Sequence, residues 1–273
     1  MFELYAITSD SIPKRLSGIE GGFALRSIST TEILSIEDFF FSQGQERKLA
    51  KSSSALIFPE ASKDLVALEQ GATLAEFSLS LLTLSGHPSF SSVALFDKGH
   101  CVLAKHLGRG TGNLSPPKFA STMTAVGARE WLKRCILARN NSKDRMHITA
   151  NRYVRYAKTP DLSDSLLDLS ISLESLLDSQ TEISFRFGVS LAKVTGEAGK
   201  KAAEIASLLS ELYDLRSKLA HGDPTASKLL KKLEPKLPLL RKAIKRILTT
   251  YILFMSEHSR DEWKSHVRDS LFS

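Results

Sequence analysis

The sequence predicts an α+β N-terminal domain at residues 1–127 followed by an all-α helical bundle at 128–273, and three observations carry that division. Short β-branched and apolar runs broken by turn residues fill the first part. A segment rich in Gly and Pro interrupts the chain at 108–117. Beyond Ala128, apolar residues recur at the three- and four-residue spacing of buried helix stripes.

In the first domain, Ser54-Ala55-Leu56-Ile57-Phe58 reads as a strand. Val93 to Phe96, the turn Asp97-Lys98-Gly99-His100, and Cys101 to Ala104 read as a hairpin whose turn contains Gly. Thr73 to Leu84 fits a helix or a buried strand equally, as short Leu-rich runs do. Gly108-Arg109-Gly110-Thr111-Gly112-Asn113-Leu114-Ser115-Pro116-Pro117 cannot sustain a regular element and predicts a linker. Its alternate glycines lack the Gly-Lys-Ser/Thr ending that a phosphate-cradling P-loop needs.

The second part predicts a first helix over Ala128–Arg139 and then four or five more. Ile148 to Ala157 precedes the stop at Thr159-Pro160-Asp161. Leu162, Leu166, Leu169, Leu173 and Leu176 or Leu177 then form one apolar stripe. Phe185 to Val194 is a shorter element. Ala202 to Ala220 carries Ile205, Leu208, Leu209, Leu212, Leu215 and Leu219 on one face, with Gly222 placed to end it in left-handed geometry. The last element starts near Ala226, is interrupted by Pro235 and Pro238, and continues through Leu240, Ile244, Ile247, Leu248 and Tyr251. Stripes of this kind joined by short loops pack most economically as a bundle.

Composition excludes several classes. With 42% hydrophobic and 25% charged residues in 273, the chain is neither disordered nor collagen-like. The longest strongly apolar stretch, Ile247 to Met255, falls well short of the roughly 20 residues that span a bilayer. Met1-Phe2-Glu3-Leu4 opens without a basic leader, and Cys101 and Cys135 sit outside any disulfide or zinc spacing. A cytoplasmic protein that needs no metal or cofactor is the expectation.

The net charge of +7 is unevenly spread. Residues 1–128 hold 11 basic against 12 acidic side chains, a net of −1, whereas residues 129–273 hold 26 against 18, a net of +8. A one-sided basic excess suits a polyanionic partner, because Lys and Arg displace counterions from phosphates. It equally suits outer helix faces kept soluble by Lys. The stripe Lys228, Lys231, Lys232, Lys236, Arg241, Lys242, Lys245 and Arg246 stays open between an RNA track and a solvated face.

Arg216-Ser217-Lys218-Leu219-Ala220-His221 has the form Arg, four residues, His. So short a pair is common by chance, and Arg260 with His266 makes a second, looser one. Context distinguishes them. The segment Leu212-Tyr213-Asp214-Leu215-Arg216-Ser217-Lys218-Leu219-Ala220-His221-Gly222 resembles the signature of the HEPN superfamily in its Apea-like branch. Ser172-Leu173-Glu174-Ser175-Leu176-Leu177 and Phe185-Arg186-Phe187-Gly188-Val189-Ser190-Leu191-Ala192 resemble the other two blocks of that branch, in the same order. The resemblance covers about residues 144–255 and leaves Arg260 and His266 outside.

The resemblance implies a HEPN-type helical bundle that dimerises, with the Arg and His of each protomer facing a shared cleft, and an activity in which RNA is cut without a metal, in antiphage defence or as a toxin. The residue types suit that chemistry. His titrates near neutral pH and would shuttle a proton for the ribose 2′-OH or the leaving 5′-oxygen, the role of His221. A planar guanidinium offers several donors to charge developing on phosphoryl oxygens, the role of Arg216. Residues five apart on a continuous helix differ in direction by about 140°, so a helix ending at Ala220 or His221 is needed to let His221 turn toward Arg216.

By resemblance Glu174 lies near this pair and orients one of its members; spacing alone also allows an exposed Glu on the polar side of its helix. Arg186 is either an ion-pair partner or a substrate-binding cation, and Ser217 either meets substrate or hydrogen-bonds its own helix. Lys218 joins them as a candidate substrate contact, while Tyr213 reads as core packing. The main expectation is thus a homodimeric endoribonuclease with RNA as partner. The alternative is a non-catalytic HEPN module that dimerises or binds nucleic acid, with a ligand-sensing N-terminal domain.

Overall fold

The computed structural model describes residues 2–8, 18–20, 23–27, 29–43, 54–60, 64–85, 92–107, 118–119, 121–122, 124–142, 144–177 and 183–269. The chain divides into two compact units, Met1–Lys133 and Arg134–Ser273. An α+β region is followed by helices, as the sequence predicts. The expected boundary at 127/128 falls inside a helix, Ala125–Ser142, and the division lies further along that helix. The linker expected at 108–117 is outside the described residues.

The first unit contains β1 (Phe2–Thr8), β2 (Gly18–Glu20), β3 (Phe23–Ser27), α1 (Thr30–Ser42), β4 (Ser54–Glu60), α2 (Leu65–Leu82), β5 (Thr83–Ser85), β6 (Ser92–Asp97), β7 (His100–His106) and β8 (Lys118–Phe119). Six strands form an antiparallel sheet in the order β2-β3-β4-β1-β6-β7, and β5 pairs with β8 separately. The two-residue period of the central strands explains the layering. Tyr5, Ala55, Ile57, Ala94, Phe96 and Ala104 face α1, where Ile33, Ile36 and Phe39 close the cluster. The alternate residues Leu4, Ala6, Leu56, Val93 and Leu95 are also buried, on the opposite face, where α2 packs. Thus the ambiguous segment 73–84 resolves into the end of α2 and a short strand. Being buried along most of its length, it shows no clean amphipathic period.

The helix α3 (Ala125–Ser142) is followed by α4 (Asp144–Lys158), α5 (Leu162–Glu174), α6 (Ile183–Val194), α7 (Gly199–Ala220), α8 (Ala226–Leu233), a 3-10 turn (Glu234–Lys236), α9 (Leu237–Met255) and α10 (Arg260–Asp269). The expected four or five helices beyond the first are therefore too few, because Pro235 divides what reads as one element into α8 and α9, and α10 was not anticipated. The Leu stripes behave as their spacing requires. Leu166, Leu169 and Leu173 of α5, Ile205, Leu208, Leu209, Leu212 and Leu215 of α7, and Leu240, Ile244, Ile247, Leu248 and Tyr251 of α9 are all buried. Each such side chain contributes roughly 1.5–3 kcal/mol on burial.

The pairs α4 with α5, α6 with α7 and α5 with α7 are the contacts that shape the site. The α6–α7 approach is close because Gly188 has no side chain. A Cβ there would stand 2.1 Å from Ser210 Oγ and 2.9 Å from the Ala206 carbonyl oxygen. Among the described residues, no helix is long and apolar enough to cross a membrane.

Candidate functional site

Glu174 is the last residue of α5, and Arg216 stands in the last turns of α7. The packing of these helices brings the two side chains together across 42 residues of sequence. Arg216 Nη2 donates to Glu174 Oε2 at 3.3 Å. Arg216 Nε lies 3.2 Å from Oε1, yet it is buried and not aligned for a hydrogen bond. The contact is therefore an ion pair with one long hydrogen bond rather than a symmetric fork. It is half-buried, with side-chain exposures of 33% for Arg216 and 20% for Glu174. Burial pushes the Glu174 carboxyl above its ordinary value, against the lowering by the adjacent Arg216 charge. Spacing alone left an exposed Glu174 open; the carboxylate is instead turned inward and paired.

The end of α7 follows from Gly222. This residue has φ +67°, a conformation that costs Gly little. Its N–H donates to Leu219 O at 3.2 Å and the next N–H, of Asp223, donates to Lys218 O at 2.9 Å. This is the Schellman arrangement, with His221 as the cap residue at φ −99°, ψ 2°. Asp223 then accepts from Thr225 N at 2.8 Å and Thr225 Oγ1 at 2.7 Å, turning the chain toward α8. His221 is exposed just where the helix stops. Among the described residues, no hydrogen bond or ion pair joins it to Arg216, and none engages its ring.

The other candidates are distributed unevenly. Ser217 is half-buried, and its carbonyl accepts from His221 N at 3.2 Å. Lys218 pairs with Asp214 at 3.1 Å on the same helix. Tyr213 packs its ring 5.3 Å from that of Phe187, the core role its position implies. Arg186 lies on α6, but its side chain is outside the described residues. The basic stripe is partly neutralised: Lys232 and Lys236 meet Glu211 at 2.9 and 3.5 Å, and Arg246 pairs with Glu197. Arg260 is on α10, where His266 stacks on Phe254 with centroids 4.9 Å apart.

Sequence reading missed a polar layer next to the pair. Ser165, Asp168 and Ser172 of α5 and Ser175 at its cap are all buried. Asp168 Oδ1 accepts from Arg152 Nη1 at 2.7 Å, and its Oδ2 lies 3.2 Å from Arg155 Nε. Ser175 Oγ lies 2.5 Å from Thr149 Oγ1 and donates to Ser172 O at 2.6 Å. A detectable signal was present, since these four polar residues repeat at the same three- and four-residue spacing as the neighbouring leucines. Ser165 donates to Leu162 O of its own helix at 3.0 Å, whereas the α4 partners of Asp168, Ser172 and Ser175 could not be read from spacing.

Compared with protein-family models, with curated proteins and with solved structures, the chain matches none.

Proposed function

We propose that the protein is a cytoplasmic, homodimeric endoribonuclease of the Apea-like HEPN type that cuts RNA without a metal, in antiphage defence or as a toxin. The observation that carries this reading is the Glu174–Arg216 pair, which joins two of the three family-like blocks, with His221 exposed at the cap of the helix that bears Arg216. In the reaction, His221 moves the proton of the ribose 2′-OH or supplies one to the leaving 5′-oxygen. Arg216 neutralises charge building on the phosphoryl oxygens. Glu174 holds one edge of the guanidinium, so the opposite edge has its direction set for an anion. The excess of +8 over residues 129–273 attracts the RNA backbone. The first unit, with its own sheet and core, is proposed as a sensor or substrate-selecting module.

A second reading has one observation in its favour. Arg216 is engaged by Glu174 and not linked to His221 among the described residues, as suits a non-catalytic module that binds RNA or a partner. One experiment separates the two. Structured and single-stranded RNAs are incubated with the full chain in EDTA, alongside Arg216→Ala and His221→Ala. Cleavage by the parent and at least hundredfold loss in each variant supports the enzyme, that being the usual worth of general acid–base catalysis. RNA binding without cleavage, unaltered in both variants, sinks it.

A further inference from the structure

The turn that presents Glu174 is clamped from two sides by residues that the family-like blocks do not include. Ser175, the cap of α5, is held by Thr149 of α4 at 2.5 Å. Leu176, one residue further, has its carbonyl occupied by the indole N–H of Trp263, at 2.9 Å and buried. Trp263 is on α10, only 2% exposed, with ring centroids 5.0 Å from Tyr251 and 5.3 Å from Phe254. The helix that carries it is secured at its start, where Ser259 N and Oγ donate to Glu262 Oε2 at 2.8 and 2.7 Å.

We infer that Trp263 is a positioning residue which, through the Leu176 carbonyl, sets the end of α5 so that Glu174 meets Arg216. This rests on the proposed role of Glu174 in orienting Arg216. Leu176 follows the cap of α5, so its carbonyl has no partner in that helix, and a buried carbonyl must find a donor elsewhere. Indole offers this one donor, so removing it leaves the buried Leu176 carbonyl unpaired. The Nη2–Oε2 bond of the pair is already 3.3 Å long, at the limit of a useful hydrogen bond, and Nε lies beside Oε1 out of alignment. A small movement of the α5 end is enough to separate them. Thus α10, which the resemblance leaves out, sets the geometry of the pair within it.

The test reads the pair itself, in the full chain. Exchange with water of the Arg216 Nη–H protons, of which Nη2 donates to Glu174 Oε2, is followed by ¹⁵N NMR, the resonances being assigned with Arg216→Lys. In Trp263→Phe, exchange is expected to accelerate about three- to tenfold, the weight of one hydrogen bond, while the backbone amides of α7 keep their protection. Should Trp263→Phe lose α7 protection, 3-benzothienylalanine at position 263 decides, since it keeps the indole shape and deletes only the donor. Unchanged Nη–H exchange in a folded variant overturns the inference. RNA turnover is measured on the same samples, with kcat expected to fall and KM to hold. A parent chain that cuts no RNA defeats the ribonuclease reading alone, because the exchange measurement still decides the positioning role.

Discussion

Removing either partner of the Glu174–Arg216 pair should have unequal effects on stability. Two unit charges about 4 Å apart attract by about 4 kcal/mol at the effective dielectric of a protein surface, and the measured approach here is 3.2 to 3.3 Å. Against this stands the desolvation of Glu174, which is large enough that its carboxyl is pushed upward despite the neighbouring Arg216. The net worth of the ionised pair is therefore small, and solvent reaching the one-third of Arg216 that is exposed reduces it further. Arg216→Met removes the attraction and leaves the desolvated carboxylate alone, at a cost of about 2 kcal/mol. Glu174→Gln removes the desolvation cost together with the attraction and should change stability by less than about 1 kcal/mol. The double variant should show a coupling of about 1 kcal/mol. Because the folded-state carboxyl titrates above its unfolded value, and higher still without the lowering by Arg216, the penalty in Arg216→Met should shrink as pH falls from the variant's value toward the parent's, where Glu174 takes up a proton. The assay is urea unfolding, at pH 7 and near pH 4, with hydrogen exchange of the α5 and α7 amides to localise the effect. Equal losses in the two single variants, or a coupling indistinguishable from zero, would refute the argument.

Three other outcomes follow from the second unit. Gly188→Ala should destabilise it by about 1–2 kcal/mol, since overpacking exceeds the helix-propensity gain and the Ala206 carbonyl 2.9 Å from the new Cβ belongs to backbone; a raised melting temperature would contradict the close α6–α7 approach. Lys245 has its amine pushed down to about 8 from the usual 10.5 by burial, so the charged form opposes folding below pH 8 and the penalty fades as pH rises from 8 to 10.5. Lys245→Met should accordingly melt higher than the parent at pH 7, with the gap closing by pH 10.5, and a lower melting point at pH 7 would count against it. Asp168→Asn should cost about 1–3 kcal/mol by leaving Arg152 and Arg155 without their shared carboxylate, measured by urea unfolding; no loss would mean that the two arginines hold nothing in place.

The legible part of the fold was the part governed by period. Residues of α7 from Ile205 to Leu215 repeat at helical spacing because one stripe packs inward, and Gly222 marks the end because its αL geometry suits a residue without Cβ. α2 was ambiguous because it is buried along most of its length, which erases the amphipathic contrast. α10 was missed although its start carries a capping box, Ser259 with Glu262, in which Glu262 N also lies 3.4 Å from Ser259 Oγ. Ten residues with two core positions, Trp263 and Val267, show too few turns for a period to stand out. Among the candidate residues, Arg216, His221 and Glu174 were proposed from ordered blocks, whereas Asp168, Thr149 and Trp263 gave no such signal, because each acts on a residue of another element.

Sequence by itself determined in outline the strand near 54–58, the hairpin at 93–104 and most helices between residues 128 and 251, where α7 stops, and that the positive charge belongs to residues 129–273. Those properties depend on neighbours within a few residues, or on sums over them. Tertiary structure alone decided that Glu174 is turned inward onto Arg216, that part of the basic stripe is neutralised by Glu211 and Glu197, and that an indole from α10 holds the turn after Glu174. Each of these joins groups 21 to 87 residues apart. Period and propensity are local, whereas the partner of a buried charge or carbonyl is chosen by which helices pack side by side.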